Sequence, residues 1–553
     1  MSDLMNITVG GLLEDVATQY PDRLAFKFPS TGYERTWKEF NEETTRVAKG
    51  FMKMGIQKGD HVAIWANNCP EWVITLFATA KIGAVLVTVN TSYKVFELEY
   101  LLRQSDSKCL VMIESFKDSN YLNTVNELCP TLKDCKPGQL NNPMLPFLKD
   151  IVFIGENKPE GMYNFKDLYL MGDEVTDEAY QEVKSTLDCQ DIINMQYTSG
   201  TTGFPKGVML THYNILNNGK SIGDGMKFTE QDKLCISVPL FHCFGLVLGV
   251  MASLTHATSM VSLDYSPIKV MEAVQNEGCT ALHGVPTMFI AIMEHADFKK
   301  HTFSKLRTGI MAGSPCPVKV MQDVVNVMGA KEITIVFGQT ESSPGCTQTT
   351  TDDSIERRVS TVGRVFPHVD AKIVDPETGK ECPPHVPGEF CTRGYHVMKG
   401  YYKMPEATAQ AIDSEGWLHT GDLATVDEAG YYKITGRIKD MIIRGGENIY
   451  PKEIEEFLYT YPKVKDVQVI GVPSKQYGEE IMAWIILKEG EISTEEEIKE
   501  LVKAHMARHK TPKYVKFANS FPMTASGKIQ KYKMREMAIE ELNLRDDAAI
   551  ETA

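Results

Sequence analysis

From about residue 60 the chain alternates short apolar runs with segments of helical period. His61–Trp65 predicts a strand, Pro70–Ile82 a helix and Ala84–Val89 a second strand; a helix near Glu97–Gln104 and a strand over Lys108–Ile113 follow. Near-continuous apolar strands joined by helices point to parallel strands covered on both faces. The Pro-, Asn- and Gly-rich stretch from Cys135 to Pro146 predicts a surface loop. A second alternating series runs from Leu234 to Glu341, with LCISVPL, SMVSL, TALHGVP, RTGIMAG and ITIVFG as its strands. Two such α/β halves in one lobe are the most economical arrangement. Beyond about Thr361, turns such as DPETGK and DEAG separate short strands, which predicts a twisted antiparallel unit. The segment GRIKDMIIRGGENIYPKEIEEF marks a boundary, with a helix starting at Pro451, a favourable first helical residue. The expected fold is α/β: a large N-terminal lobe of two mixed or parallel α/β sheets plus a twisted β subdomain (residues 1–436), then a small α+β domain (437–553).

Composition narrows this only slightly. The chain has 553 residues, 43% hydrophobic and 24% charged, which is an ordinary globular mix and excludes disordered and fibrous classes. Its net charge of −15 disfavours a nucleic-acid binder, so any polyanionic ligand must be held by a local pocket. None of the twelve cysteines forms a C-x-x-C pair, and several sit in apolar runs, so they read as reduced thiols in a cytosolic compartment. The start, MSDLMNITVGG, has neither a basic nor an apolar region of a signal peptide. The apolar stretch Trp72–Val89 is interrupted by Lys81, and Cys243–Leu254 is too short for a bilayer. The chain ends Glu-Thr-Ala, which is not a peroxisomal signal. A cytoplasmic location and no transmembrane segment are expected.

The strongest local signal is Thr198-Ser-Gly-Thr-Thr-Gly-Phe-Pro-Lys-Gly207. Glycines let a backbone approach an anion closely, and the hydroxyls of Thr198, Ser199, Thr201 and Thr202 with the intervening N–H groups can donate to phosphate oxygens. Gly200 and Gly203 supply the turns, and Lys206 adds positive charge. The Walker A spacing is missing. YTSGTTGFPKGV resembles the phosphate loop of the adenylate-forming superfamily, which includes acyl-CoA synthetases, beetle luciferases and peptide-synthetase adenylation domains. Matching blocks follow in the family's order: FHCFG, GSP, FGQTE, GWLHTGDL, GRIKDMI and PMTASGKIQK.

That resemblance implies ATP, Mg²⁺ and coenzyme A as the bound species. It implies Glu341 as the magnesium carboxylate, with Phe337, Gly338, Gln339 and Thr340 beside it along the nucleotide, and Gly313, Ser314 and Pro315 against adenine. Asp422 resembles the ribose ligand and Arg437 a ribose or phosphate contact. Lys528 resembles the lysine that swings in from a mobile C-terminal domain to contact the carboxylate and α-phosphate. Lys439 falls at the hinge, and Gly445 and Gly446 would let the pantetheine arm of CoA slide along the backbone. FHCFG, HGVP, AGSP and FGQTE each end a predicted strand, where ligands of α/β sheets bind.

Amino-acid-activating relatives begin the FHCFG block with an Asp; here Phe241-His242 carries no acid, which favours a substrate with an apolar far end. His242 borders the carboxylate site in relatives. Gly245 and Gly249, small residues on a helical face, are expected to leave room for an acyl tail, with Val285 beside them. The expected activity is ATP-dependent conversion of a medium-chain fatty acid to acyl-AMP and then acyl-CoA. The alternatives are an enzyme loading a carrier protein and an aryl or cyclic acid–CoA ligase. The partners are small molecules and not nucleic acid, with homo-oligomerisation left open.

Overall fold

The alternation from residue 60 onward is realised in the computed structural model as an eight-stranded sheet. Its order is Gly400–Tyr401, Lys206–Thr211, Ile192–Thr198, Val85–Thr88, His61–Trp65, Cys109–Ile113, Asp150–Ile154 and Tyr163–Asn164. The strands from Ile192–Thr198 to Tyr163–Asn164 are parallel, and Lys206–Thr211 returns antiparallel to Ile192–Thr198. The structure describes residues 3–198, 205–313, 316, 318–444, 447–474, 477–506, 508–524 and 528–545.

The second series builds a nine-stranded sheet whose parallel centre runs Glu332–Gly338, Thr308–Met311, Ala281–Gly284, Lys233–Ile236 and Ser259–Ser262. Its next strand, Leu24–Phe28, comes from the N-terminal sixty residues, which the periodicity leaves unassigned. That strand pairs parallel with Ser259–Ser262 and antiparallel with Tyr33–Thr36. Only tertiary packing decides such a long-range pairing, since neither strand's own pattern names its partner.

The two sheets share one core. Its centre includes the helix Pro70–Lys81, in which every residue but Glu71 is buried, as a helix apolar on all faces must be. The apparent interruption, Lys81, is buried too: its Nζ donates to Asn41 Oδ1 at 2.8 Å and lies 3.6 Å from Glu14 Oε1. Burial nevertheless lowers its pKa to about 8, because the charge is only partly compensated. Residues beyond 361 form the expected antiparallel sheet: Val369–Val374, Gly388–Gly394, Leu418–Val426 and Tyr432–Arg437. A short turn, Ile438–Asp440, leads from it into a five-stranded sheet with its own apolar clusters and the helices Pro451–Tyr459, Glu495–His505 and Lys531–Glu541. Pro451 is the first residue of its helix, as expected. This C-terminal unit touches the rest of the chain through polar contacts, Lys465 with Glu294 at 2.8 Å and Lys452 Nζ to the Ile434 carbonyl at 2.7 Å. All twelve cysteines are free thiols, and no helix of the described residues is long and apolar enough to cross a membrane.

Four histidines are held neutral by burial. His212, His242 and His396 are pushed down to about 3 and His283 to about 4. A depressed pKa means that the unfolded chain binds more protons as pH falls below the ordinary value of about 6.5. Stability is then fully present above that value and is lost progressively towards pH 3–4, by about 1.4 kcal/mol per pH unit for each group. Urea unfolding midpoints are expected to fall between pH 7 and pH 5.5, and flat midpoints over that interval would contradict the burial argument.

Candidate active site

The sequence that resembles a phosphate loop joins two antiparallel strands whose register sets Lys206 directly opposite Thr198. The two residues that open and close the motif's polar stretch therefore stand side by side at the carboxyl end of Ile192–Thr198. Ser199, Gly200, Thr201, Thr202 and Gly203 lie outside the described residues, as do Ser314, Pro315, Gly445 and Gly446.

Glu341 reaches the same place from the other sheet. It follows the strand Glu332–Gly338 in a tight turn: a Cβ on Gly338 would lie 1.8 Å from the Pro344 carbonyl oxygen, so only glycine fits. Gln339 closes the turn, accepting from the Ser342 N–H at 2.8 Å. Thr198 Oγ1 lies 3.5 Å from Glu341 Oε1, and the Tyr401 hydroxyl donates to that same oxygen at 2.8 Å. Lys206 Nζ stands 4.8 Å from the centre of the Tyr401 ring. Phe337, by contrast, packs edge-on against Phe390 at 5.3 Å, in the apolar contact with the antiparallel sheet.

Asp422 and Arg437 are fifteen positions apart in sequence but directly opposite each other across two strands. Arg437 Nε donates to Asp422 Oδ1 at 2.8 Å. Burial raises the Asp422 pKa against the pull of Arg437, whereas Asp422 raises that of Arg437. Lys439 lies in the following turn, where burial and the neighbouring Arg437 lower its pKa.

Lys528 belongs to a small hairpin of the C-terminal unit: its N–H donates to Thr524 Oγ1 at 3.0 Å, and its carbonyl accepts from the Thr524 N–H at 2.8 Å. It lines a small cavity with Val238, Pro239, His242, Phe244, Val285, Met288 and Gly313. Burial lowers its pKa, with Arg437 adding to the effect and Cys243, Glu341 and Asp422 opposing it. His242 beside it is kept neutral, mainly by burial and then by the Lys528 charge. The His242 Nδ1 accepts from the Phe244 N–H at 3.1 Å, which fixes the unprotonated nitrogen. The Cys243 thiol, 3.7 Å from Thr340 Oγ1, is pushed up to about 11 by burial and is no nucleophile at neutral pH.

The cavity measures about 20 Å³, room for about one water. Its wall is apolar except for His242 and Lys528. Val285 lines the cavity, and Gly313, at φ +87°, faces it, since a Cβ there would meet Val285 Cγ1 at 3.1 Å. Phe241, Gly245 and Gly249 are buried but do not line the cavity. The segment Phe244–Met251 is a π-helix, so the α-helical stripe expected to face an acyl tail does not form. Gly245 packs on the Pro239 carbonyl (2.4 Å from an added Cβ), in the loop after the strand Lys233–Ile236, and Gly249 packs on Ile236 of that strand (3.2 Å). His283 also sits behind the wall, with Nε2 on the Leu248 carbonyl at 2.9 Å and Nδ1 accepting from the Ile310 N–H at 3.2 Å. Tyr401 and Val238 had no place in the expected site, whereas Met288 was expected, with His242 and His283, to set the depth of the pocket and does line the cavity. For Tyr401 the only signal was its position in GYYKMPE, and its partner Glu341 is sixty residues away.

Comparison with known proteins agrees with this geometry. The profile of the AMP-binding enzyme family matches residues 13–402, and that of the AMP-binding enzyme C-terminal domain matches residues 453–528. YngI of Bacillus subtilis, itself only provisionally assigned as an acyl-CoA synthetase, is 55% identical over 98% of this chain and 99% of its own. The mitochondrial medium-chain acyl-CoA ligase ACSF2 of Bos taurus is 41% identical over 98% of this chain and 89% of its own. Among solved structures, ATP-bound MatB from Rhodopseudomonas palustris superimposes with a TM-score of 0.82 at 29% identity, covering 97% of this chain and 99% of that one. The anthranilate CoA ligase AuaEII in complex with anthranoyl-AMP gives 0.84 at 26% identity, covering 98% of each chain. With both its parts matched in order, and with relatives this similar along its whole length, the chain belongs to the AMP-binding enzyme family.

Proposed function

We propose that the protein joins a carboxylic acid to CoA at the expense of ATP, through an acyl-adenylate, and that its acid is a medium-chain fatty acid. One observation carries the reading: Lys528 lines an apolar cavity and at the same time feels the charges of Glu341, Asp422 and Arg437. An acid with an apolar tail would put its carboxylate at the lysine, and the nucleotide would lie on the polar side. The likeness to ACSF2 supports the chain length.

A carboxylate is a poor electrophile because its oxygen is a poor leaving group. In the first half-reaction a carboxylate oxygen attacks the α-phosphorus of ATP and pyrophosphate leaves, giving acyl-AMP. Lys528 stabilises the charge that grows on the α-phosphoryl oxygens and takes no proton. Burial and the Arg437 charge lower its pKa, while Cys243, Glu341 and Asp422 oppose that shift. Asp422 accepts from the ribose hydroxyls, while Arg437, donating to it at 2.8 Å, opposes the burial that raises its pKa. Glu341 would hold magnesium with its oxygen that faces away from Tyr401, and a hard dication suits a carboxylate flanked by hydroxyls. When bound, magnesium neutralises the phosphates and the departing pyrophosphate. In the second half-reaction the CoA sulfur attacks the acyl carbon, the thiol proton leaves to solvent and AMP departs. The chain beyond Lys439 is proposed to rotate between the two, withdrawing Lys528, while Arg437 stays paired with Asp422.

The cavity is far smaller than an acyl chain, so substrate entry requires its wall to yield, and Met288 is its most adaptable apolar side chain. A carboxylate series from acetate to palmitate, with benzoate and anthranilate, is expected to release pyrophosphate best at medium chain length. Best turnover with the aromatic acids would favour the aryl reading instead, and pyrophosphate release without CoA consumption the carrier-protein reading. Lys528→Ala is expected to slow acyl-AMP formation by about two to three orders of magnitude, while thioester formation from supplied acyl-AMP stays within a few-fold. Equal loss of both steps contradicts the proposed rotation. Lys439→Pro is expected to slow one half-reaction selectively by restricting the turn, and unchanged rates in both would remove Lys439 as the pivot.

A further inference from the structure

Glu341 is a single carboxylate with two chemically equal oxygens. The torsion that exchanges them is soft and roughly two-fold, so a metal presented with an unrestrained glutamate meets a rotating pair. In this protein the rotation is stopped from one side. The short strand Gly400–Tyr401 lies along Lys206–Thr211, with Tyr401 opposite Val208, at the outer edge of the eight-stranded sheet. The Tyr401 N–H is held by Thr408 Oγ1 at 2.9 Å, so the backbone of the tyrosine is anchored independently of its ring. Its side chain is buried, runs beneath Lys206 and ends with the hydroxyl 2.8 Å from Glu341 Oε1. Among the described residues, both donors to Glu341, Tyr401 and the more distant Thr198, fall on Oε1. Oε2 takes no hydrogen bond from a described residue.

We infer that Tyr401 is a positioning residue for the magnesium carboxylate: its hydroxyl occupies Oε1 so that Oε2 is presented to the metal, while its ring holds Lys206 in register. This rests on the reading of Glu341 as the magnesium ligand. A hydroxyl-to-carboxylate bond is charge-assisted and short, the kind that fixes orientation as well as adding energy. The ring and the hydroxyl have separate tasks, so two substitutions separate them. Tyr401→Phe removes only the donor. Tyr401→Leu also removes the face over which the Lys206 ammonium sits.

The test uses the full-length protein with Mn²⁺ as the spectroscopic probe and α,β-methylene ATP, which cannot be cleaved at the reacting bond. Free Mn²⁺ is counted by electron paramagnetic resonance, and nucleotide affinity without metal is measured separately by calorimetry. Tyr401→Phe is expected to weaken Mn²⁺ binding in the ternary complex by about tenfold, the usual worth of a hydrogen bond to a charged group. Metal-free nucleotide affinity and melting temperature should stay unchanged, and acyl-AMP formation should recover at high Mg²⁺. Tyr401→Leu is expected to weaken metal-free nucleotide binding as well. A Mn²⁺ titration of Tyr401→Phe that overlays the wild type overturns the inference. A Glu341→Gln titration that overlays the wild type shows instead that Glu341 is not the ligand, and so separates failure of the underlying reading from failure of the tyrosine's role. Should Tyr401→Phe lose its cooperative melting transition, Thr408→Val, which frees the tyrosine backbone and keeps its hydroxyl, provides the second variant. It too must weaken Mn²⁺ binding, and an unaltered titration would equally refute the positioning role.

Discussion

One carboxylate stitches the two large sheets together at their working ends. Glu341 leaves the last parallel strand of the nine-stranded sheet, while Thr198 and Tyr401 belong to the eight-stranded one. A charged group cannot be left at such a seam without donors, because an uncompensated ion in a partly buried setting costs several kcal/mol or, more often, neutralises itself. The two hydroxyls answer that requirement, and they join the strands Ile192–Thr198 and Gly400–Tyr401 to the turn that follows Glu332–Gly338. The Asp422–Arg437 pair and Lys528 are arranged around that junction.

Electrostatics is handled locally because the protein as a whole is acidic. A field set by a net charge of −15 repels ATP and CoA at a distance. The cations that matter are therefore each tied to a neighbour: Lys206 to the face of Tyr401, Arg437 to Asp422, and Lys528 to the combined pull of Glu341 and Asp422. His242 contributes by staying uncharged, since a second cation against Lys528 in the same small cavity would oppose it. The cavity itself is small, and the C-terminal unit meets the rest of the chain there through Lys528 and elsewhere through polar contacts.

The comparison of pattern with structure is instructive where it failed. The α-helical reading of FGLVLGVM placed Gly245 and Gly249 on one face, towards an acyl tail. The segment winds as a π-helix, whose wider turn redirects those positions onto Pro239 and Ile236. Nothing in an all-apolar run distinguishes the two windings, because the periodic contrast that would reveal either is missing. Phe337 likewise sits inside a motif yet serves the core, through Phe390. Motif membership identifies a neighbourhood, and each side chain's direction within it is settled by the strand and turn that carry it.

By itself the sequence determined the order of elements, the change from parallel to antiparallel sheet near residue 361, the helix beginning at Pro451 and the candidate polar chemistry. All of these are encoded locally, in periodicity, turn residues and contiguous motifs. Tertiary structure alone decided that the N-terminal hairpin completes the nine-stranded sheet, that Asp422 faces Arg437, and that Lys528 meets His242. It alone brought Tyr401, from an edge strand of two residues, to Glu341. Those contacts join segments far apart in the chain, and no local propensity records a partner that becomes a neighbour only when two sheets close over a shared core.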